Sequence, residues 1–396
     1  MKEIIINVDK ENNKAIMLVE NGNLIERYFE NNKTRRLEGN IYVGKIQNVL
    51  QGMQAAFVDI GEGKNTFIHL KDILPKLDTK TNDTEEIVKK SNIKDIAKSG
   101  MPILVQVKRD STNKKGARVS THINLPGRFC VYMPDADFVT ISQKIEDEKE
   151  RERLIQIVKN NMPKNAGIIV RTSAIKKSEK DMLEDIKNLE KEWNEIMKAY
   201  QNEKNNVPNL VYKNSGIVKR ILIDLVDQDI ERIIVNSQIQ YEEITNILKE
   251  TKQTIELVLK NQDSILDMYD LQTQLEKVDN RKVWLKCGGF ITIDKTEALT
   301  AIDVNSGKYI GTKNLEQTVY TVNKEASLEI AKQLRLRDIG GIVIIDYIDM
   351  KEQEHKEKIV EVLKEHLKKD RSKTQIVGFT ELNLLEMTRK HMCSND

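Results

Sequence analysis

The chain has 396 residues and a net charge of only +2, with 39% hydrophobic and 32% charged residues. At roughly 100 to 200 residues per domain this allows two to four domains with real cores. No run approaches the ~18 consecutive apolar residues of a membrane span, and Met1-Lys-Glu-Ile-Ile-Ile-Asn-Val-Asp9 lacks the apolar length and cleavage site of a secretory signal, so a cytoplasmic protein is expected.

Cys130, Cys287 and Cys393 form no C-x-x-C pair, so neither a disulfide framework nor a self-contained zinc site is indicated; Cys130 and Cys287 read as buried free thiols. The near-neutral charge gives no compositional case for nucleic acid, so any basic surface must be local.

In chain order, Ile4 to Val8 and Ala15 to Val19 predict strands, with Asn21-Gly22-Asn23 as a hairpin turn into a third. Ile41 to Ile46, Ala55 to Ile60, Asn65 to Leu70 and Ile103 to Lys108 are short β-like runs punctuated by glycines, as in a small barrel. The polar stretch Lys71 to Gly100 between them is a helical insertion or a loop. Phe129 to Met133 and Gly167 to Thr172 predict strands, while Glu146 to Asn160 and Lys180 to Tyr200 predict amphipathic helices, giving a second α+β unit.

Residues 217–280 alternate again, with a short helix expected over Asp227 to Arg232, a strand over Ile233 to Val235, a helix over Ile239 to Lys252 and a strand over Thr254 to Leu259. Phe290 to Asp294 and Leu299 to Val304 then form a hairpin, and Leu315, Val319, Val322, Ala326, Ile330 and Leu334 mark one face of a helix that Gly340-Gly341 ends. The following run, Ile342 to Ile345, is apolar throughout, as expected of a parallel strand covered by helices on both faces.

Asp303 and Asp346 each sit near the carboxyl end of an apolar strand, and the helix between them has about the length a crossover needs to bring those strands into one sheet, on neighbouring or near-neighbouring positions. Strands lie ~4.8 Å apart, so two such carboxylates can share one hard cation. Oxygen donors without nearby His or Cys point to Mg²⁺ or Mn²⁺ rather than zinc. Asn305, two residues on and therefore on the same side of the strand, suits a substrate phosphate or a water; Lys308 is a weaker candidate. Either aspartate alone would read as a helix or turn cap. The five histidines fall in no paired arrangement and no Ser or Cys nucleophile motif occurs, which disfavours a metal-free mechanism. Gly39 to Lys45 imitates a phosphate-binding loop, but Ile46 stands where Ser or Thr is needed, so that reading is discarded.

In the barrel segment, Phe57 and Phe67, with His69 on the face of Phe67, lie near the basic tracts Lys108-Arg109 and Lys114-Lys115-Gly-Ala-Arg118. Rings that stack bases beside cations that hold phosphates make a single-stranded nucleic-acid surface. Singly, each ring would read as core and the basic run as a solvated hairpin tip.

Gly289-Phe-Ile-Thr-Ile-Asp-Lys-Thr-Glu-Ala-Leu-Thr-Ala-Ile-Asp-Val-Asn305 resembles the catalytic core of the ribonuclease E/G family, and the likeness continues through Ala331 to Met350 and Leu384 to Arg389, with a weaker match upstream. The resemblance implies a mixed α/β and α+β multidomain fold: an RNase H-like domain in two parts (1–36 and 217–280), split by an inserted OB-type RNA-binding barrel (37–121) and a 5′-sensor domain (122–216), then a DNase I-like catalytic α/β domain (281–396). It implies a Mg²⁺-dependent endoribonuclease that cuts single-stranded RNA, in rRNA processing and mRNA decay, to 5′-phosphate and 3′-hydroxyl products. The rival expectation is a non-catalytic RNA-binding or scaffold protein.

By the same resemblance Asp303 and Asp346 are the magnesium ligands and Asn305 orients the scissile phosphate. Phe57, Phe67 and Lys115 grip the strand, while Arg171 and Thr172 hold a 5′-monophosphate. The family's paired sensor arginines stand here as Gln143-Lys144, leaving Lys144 to supply part of the charge and implying weaker sensing. Relatives share a zinc ion between two protomers through a C-x-x-C segment that is not found before Asp396; a homodimer is an option, with its zinc link in question.

Overall fold

The computed structural model describes residues 1–31, 36–73, 91–111, 116–203, 205–214, 216–225, 230–251, 253–307 and 315–391. The chain divides into two compact units, one built from residues within 1–33 and 229–395 and the other from residues within 34–228. Among the described residues, no helix is long and apolar enough to cross a membrane.

The first unit holds two sheets. In one, Lys2–Val8, Lys14–Glu20 and Asn23–Glu30 form an antiparallel meander, and Lys2–Val8 pairs on its other side, in parallel, with Ile230–Val235, which in turn pairs in parallel with Glu256–Leu259. The meander turns at Asn21 and Gly22, whose φ values of 51° and 76° are those of a two-residue type I′ hairpin. The helix expected over Asp227 to Arg232 is corrected: Ile230–Val235 is a strand, and the helix lies upstream at Gly216–Leu225. The β-branched run Ile233-Ile234-Val235 is better satisfied between two parallel neighbours than in a helix; residues 227–229 lie outside the described residues.

The second sheet runs in the order Lys282–Trp284, Phe290–Lys295, Leu299–Asn305, Gly341–Asp346, Leu384–Arg389, Thr374–Phe379. Leu299–Asn305 connects through the helix Leu315–Leu336 to Gly341–Asp346 as a parallel neighbour. The helix buries Val319, Val322, Ala326, Ile330 and Leu334 against Ile291, Ile302, Val304, Val343, Ile345 and Leu385, whereas Leu315 is 77% exposed. It ends at Leu336, with Asp338 in the left-handed region; Gly341 begins the next strand rather than capping the helix.

The expectation of helices on both faces of that strand is also corrected. Gly341–Asp346 alternates: Val343 and Ile345 are buried, but Ile342 is 50% exposed and Asp346 is exposed. Its other neighbour, Leu384–Arg389, is antiparallel, and a mixed sheet of this kind can leave one face uncovered.

In the second unit, Ile41–Leu50, Ala55–Asp59, Thr66–His69, Arg118–Ser120 and Pro102–Arg109 close into a five-stranded barrel through the pairing of the first and last, and Asn209–Tyr212 adds to the edge of Ile41–Leu50. Gly44 sits inside Ile41–Leu50, where a Cβ would meet Val58 Cγ1 at 2.5 Å; it is a packing glycine, not part of a phosphate loop. Of the insertion, Ile93–Ile96 is a short helix and 74–90 lie outside the described residues.

A second sheet of this unit, in the order Val139–Ile141, Ala166–Val170, Cys130–Pro134, Leu125–Pro126, is covered by the helices Glu148–Asn161 and Glu179–Glu203. Asp147 caps the first helix, accepting from the N–H groups of Lys149 and Glu150, a contribution of about 1 kcal/mol.

Candidate active site

Asp303 and Asp346 are direct partners in the parallel register of their two strands. The burial alternation fixes which way they face: Ile302, Val304 and Ile345 point into the core, so both aspartates stand on the open face of the sheet. Asn305 shares that face, and its Nδ2 donates to Asp303 Oδ2 at 2.5 Å. Partial desolvation at the sheet surface, then the nearby Asp303 and Asp349, holds the Asp346 carboxyl above the ordinary carboxylate range. Among the described residues neither Asp303 nor Asp346 is in a salt bridge, and no group of three or more His, Cys, Asp or Glu side chains is poised to hold a metal. Asp303 feels the charge of Arg281, which is paired with Asp294 rather than with Asp303. Two repelling carboxylates without a direct ion pair are a donor set that suits a hard divalent ion, which commonly takes one or two carboxylates and fills its remaining positions with water and phosphate oxygens.

The chain beyond Asp346 is fixed from the crossover helix. Asn323, fully buried, bonds both the N–H and the carbonyl of Ile348, and Tyr347, also buried, shares a 2.8 Å hydrogen bond with Ser327. Sequence reasoning missed Asn323, whose only signal is a polar residue on an otherwise apolar helix face. It also passed over Asp349, three residues beyond Asp346. Lys308 lies outside the described residues.

On the barrel, Phe57 and Phe67 are cross-strand partners with ring centroids 6.2 Å apart in an edge-to-face arrangement. Both are half-exposed, while Ala56, Val58, Ile68 and Leu70 fill the interior. The rings therefore belong to the outer face, not to the core. His69 and Arg118 flank Phe67, and Arg118 bonds Asp72 at 2.7 Å. Lys114 and Lys115 lie outside the described residues.

In the neighbouring sheet, Val139–Ile141 and Ala166–Val170 are parallel, with Ile141 opposite Val170 and the N–H of Ser142 donating to the Val170 carbonyl at 2.9 Å. The chain that follows each strand is thus delivered to one end of the sheet: Gln143 and Lys144 from one, Arg171 and Thr172 from the other. Gln143, Lys144 and Thr172 are exposed and Arg171 is half-buried, donating to the Gly127 carbonyl at 2.7 Å. Asp185 braces this corner by accepting from the N–H groups of Arg128, Phe129 and Cys130 at 2.8 to 3.0 Å. Burial raises its carboxyl and outweighs those bonds and the nearby Arg171. Cys130 is fully buried and its thiol is pushed up by that burial, as an inert thiol should be; Cys287 is only half-buried, and Cys393 lies outside the described residues.

A paired-aspartate strand–helix–strand site in one unit, with a five-stranded barrel in the other, is accompanied by extensive sequence likeness. The ribonuclease E/G family model matches residues 124–392. Ribonuclease G of Salmonella typhimurium is 38% identical over 391 residues, covering 98% of this chain and 79% of the relative, and that of Haemophilus influenzae is 37% identical over the same shares. Ribonuclease E of Buchnera aphidicola is 33% identical over the whole of this chain but only 41% of its own length. The chain belongs to the ribonuclease E/G family.

Proposed function

We propose that the protein is a Mg²⁺-dependent endoribonuclease that cuts single-stranded RNA on the open face of the sheet carrying Asp303 and Asp346, leaving 5′-phosphate and 3′-hydroxyl ends, in the rRNA processing and mRNA decay of the cytoplasm. The observation that carries this reading is the in-register pairing of those two carboxylates on a solvent-facing surface, with the Asn305 carboxamide already bonded to one of them.

Asp303 and Asp346 would hold the ion. When bound, it supplies positive charge against the phosphate in the transition state and acidifies water at the cut. Asn305 uses one amide N–H on Asp303, which leaves its second N–H to donate to a non-bridging phosphate oxygen. The barrel rings Phe57 and Phe67, with Lys115, grip the strand by stacking and charge. Arg171 and Thr172, with Lys144, receive a 5′-monophosphate.

The test is incubation of purified protein with 5′-monophosphorylated single-stranded RNA in Mg²⁺ and then in EDTA. Internal cuts that need the metal support the enzyme. Binding without cuts would replace it with an RNA-binding scaffold.

A further inference from the structure

The open face of the sheet carries an aromatic cluster that the carboxylate site leaves unused. Register places the cluster beside the carboxylates: Trp284 is opposite Phe290, and Phe290 is opposite Asn305, so the three form a row across adjacent strands. Lys282, Thr292, Asp303 and Asp346 form the next row. Cross-strand partners share a face, so both rows lie on the side that bears the aspartates.

Trp284 and Phe290 meet edge to face at 5.4 Å, and the Lys282 ammonium lies 3.5 Å from the Phe290 centroid and 4.0 Å from that of Trp284. Phe290 is half-buried, whereas Trp284 is 62% exposed on the edge strand. An indole left in water on an edge strand contributes little to the core. Nor is it explained by the hydrophobic cluster on the opposite face, which takes Leu285, Ile291 and Ile293 instead. Two strand spacings put the indole about 10 Å from Asn305, so one nucleotide can set its phosphate at Asn305 and its base on the indole.

We propose that Lys282, Trp284 and Phe290 form a base-stacking platform for the nucleotide adjoining the scissile phosphate, so that the catalytic sheet itself holds the RNA strand. This rests on the reading of Asp303 and Asp346 as the cleavage site. Trp284 offers an exposed π-face that accepts any base. Phe290 braces the indole from the side toward Asn305. The ammonium, held by both rings, places positive charge beside the path of the backbone.

The experiment uses the full chain carrying Trp193→Phe, which leaves Trp284 as its one tryptophan. Single-stranded RNA titrated in EDTA is expected to quench the Trp284 fluorescence. In Mg²⁺, Trp284→Ala is expected to raise KM about ten-fold with kcat within about two-fold, and Trp284→Phe to recover most of the loss. RNA made abasic at the nucleotide on one side of the cut should abolish the difference between wild type and Trp284→Ala. Cleavage without quenching, or an unchanged KM in Trp284→Ala, would overturn the platform alone. Quenching in a protein that cuts no RNA would overturn the cleavage site and with it the placement of the platform beside a scissile phosphate.

Discussion

Asn323 bonds both backbone polar groups of Ile348, its Nδ2 donating to the carbonyl at 2.8 Å and its Oδ1 accepting from the N–H at 3.1 Å. The strand that ends at Asp346 is thereby held to the helix that connects it to Asp303. Asn323→Leu leaves two backbone groups without a partner, at a cost of about 1 to 3 kcal/mol each if they stay dry, and lets the Asp346 backbone drift. Cleavage of single-stranded RNA is expected to fall about 10- to 100-fold in kcat, with affinity for the RNA little changed. Thermal denaturation beside the kinetics separates the effects: a variant folded at the assay temperature with unaltered kcat would show that the clamp does not position Asp346.

Asp303→Asn and Asp346→Asn should each abolish cleavage, because a site with two carboxylates cannot hold its ion well with one. Binding of the same RNA, measured by filter retention in EDTA, should be retained within a few-fold. Near-normal turnover of either variant at saturating Mg²⁺ would remove these residues from the site.

Phe67→Ala should weaken binding of single-stranded RNA by about 1 to 3 kcal/mol if its ring stacks on a base. Its half-exposed position outside the barrel core means that the melting temperature should move little. Because the ring meets Phe57 edge to face, the double variant should lose less than the sum of the singles. Additive losses would show that the rings act at separate nucleotides.

The strand-end cluster of Gln143, Lys144, Arg171 and Thr172 predicts a preference for a 5′-monophosphate over a 5′-hydroxyl or triphosphate. A terminal phosphate there would meet the charge of Arg171, whose guanidinium also donates to the Gly127 carbonyl, and the Thr172 hydroxyl. Initial rates on one oligonucleotide with each 5′ end should level in Arg171→Ala and diverge further in Gln143→Arg. Equal wild-type rates on all three ends would mean that the corner senses nothing.

Glu150 gives a pH prediction. Its carboxylate bonds both prongs of Arg153 at 2.8 Å and accepts from the Lys176 N–H, and these contacts hold its pKa down at about 2. A pKa lowered on folding contributes stability that is present above the unfolded carboxylate value, near 4.3, and is lost as pH falls from there through about 2. Glu150→Gln should therefore flatten the loss of stability over that window, read from melting temperatures between pH 5 and the acid limit, roughly pH 2. An identical slope in the variant would show that the contact is already screened by solvent.

Local chemistry decided what could be read from sequence. Asn21-Gly22 announces a turn that needs two positive φ values, and the structure has them. That Asp303 and Asp346 stand on neighbouring or near-neighbouring strands of one sheet followed from two apolar strands and a helix of crossover length; their direct register is seen only in the structure. Facing was harder to read. Ala55-Ala56-Phe57-Val58 is apolar throughout, so nothing local says that Phe57 turns outward while Ala56 and Val58 fill the barrel. Ile342 to Ile345 read as buried on both sides because the antiparallel partner Leu384–Arg389, which leaves one face open, comes from a distant part of the chain. Asn323 gained meaning only from its hydrogen bonds to Ile348, and Trp284 only when strand register placed it in the row of Asn305.

The sheet that joins Lys2–Val8 to Ile230–Val235 sets an order of assembly during synthesis. The first three strands leave the ribosome early, yet the buried edge of Lys2–Val8 has no partner until the entire second unit has been made. That unit, whose strands and helices pair among themselves, can fold meanwhile. The wait leaves Ile4-Ile5-Ile6, all fully buried in the finished protein, on an unpaired edge, the kind of surface that other chains capture. Slow translation of residues 34–228 should thus favour aggregation of nascent chains, and truncation within the second unit should yield insoluble N-terminal fragments.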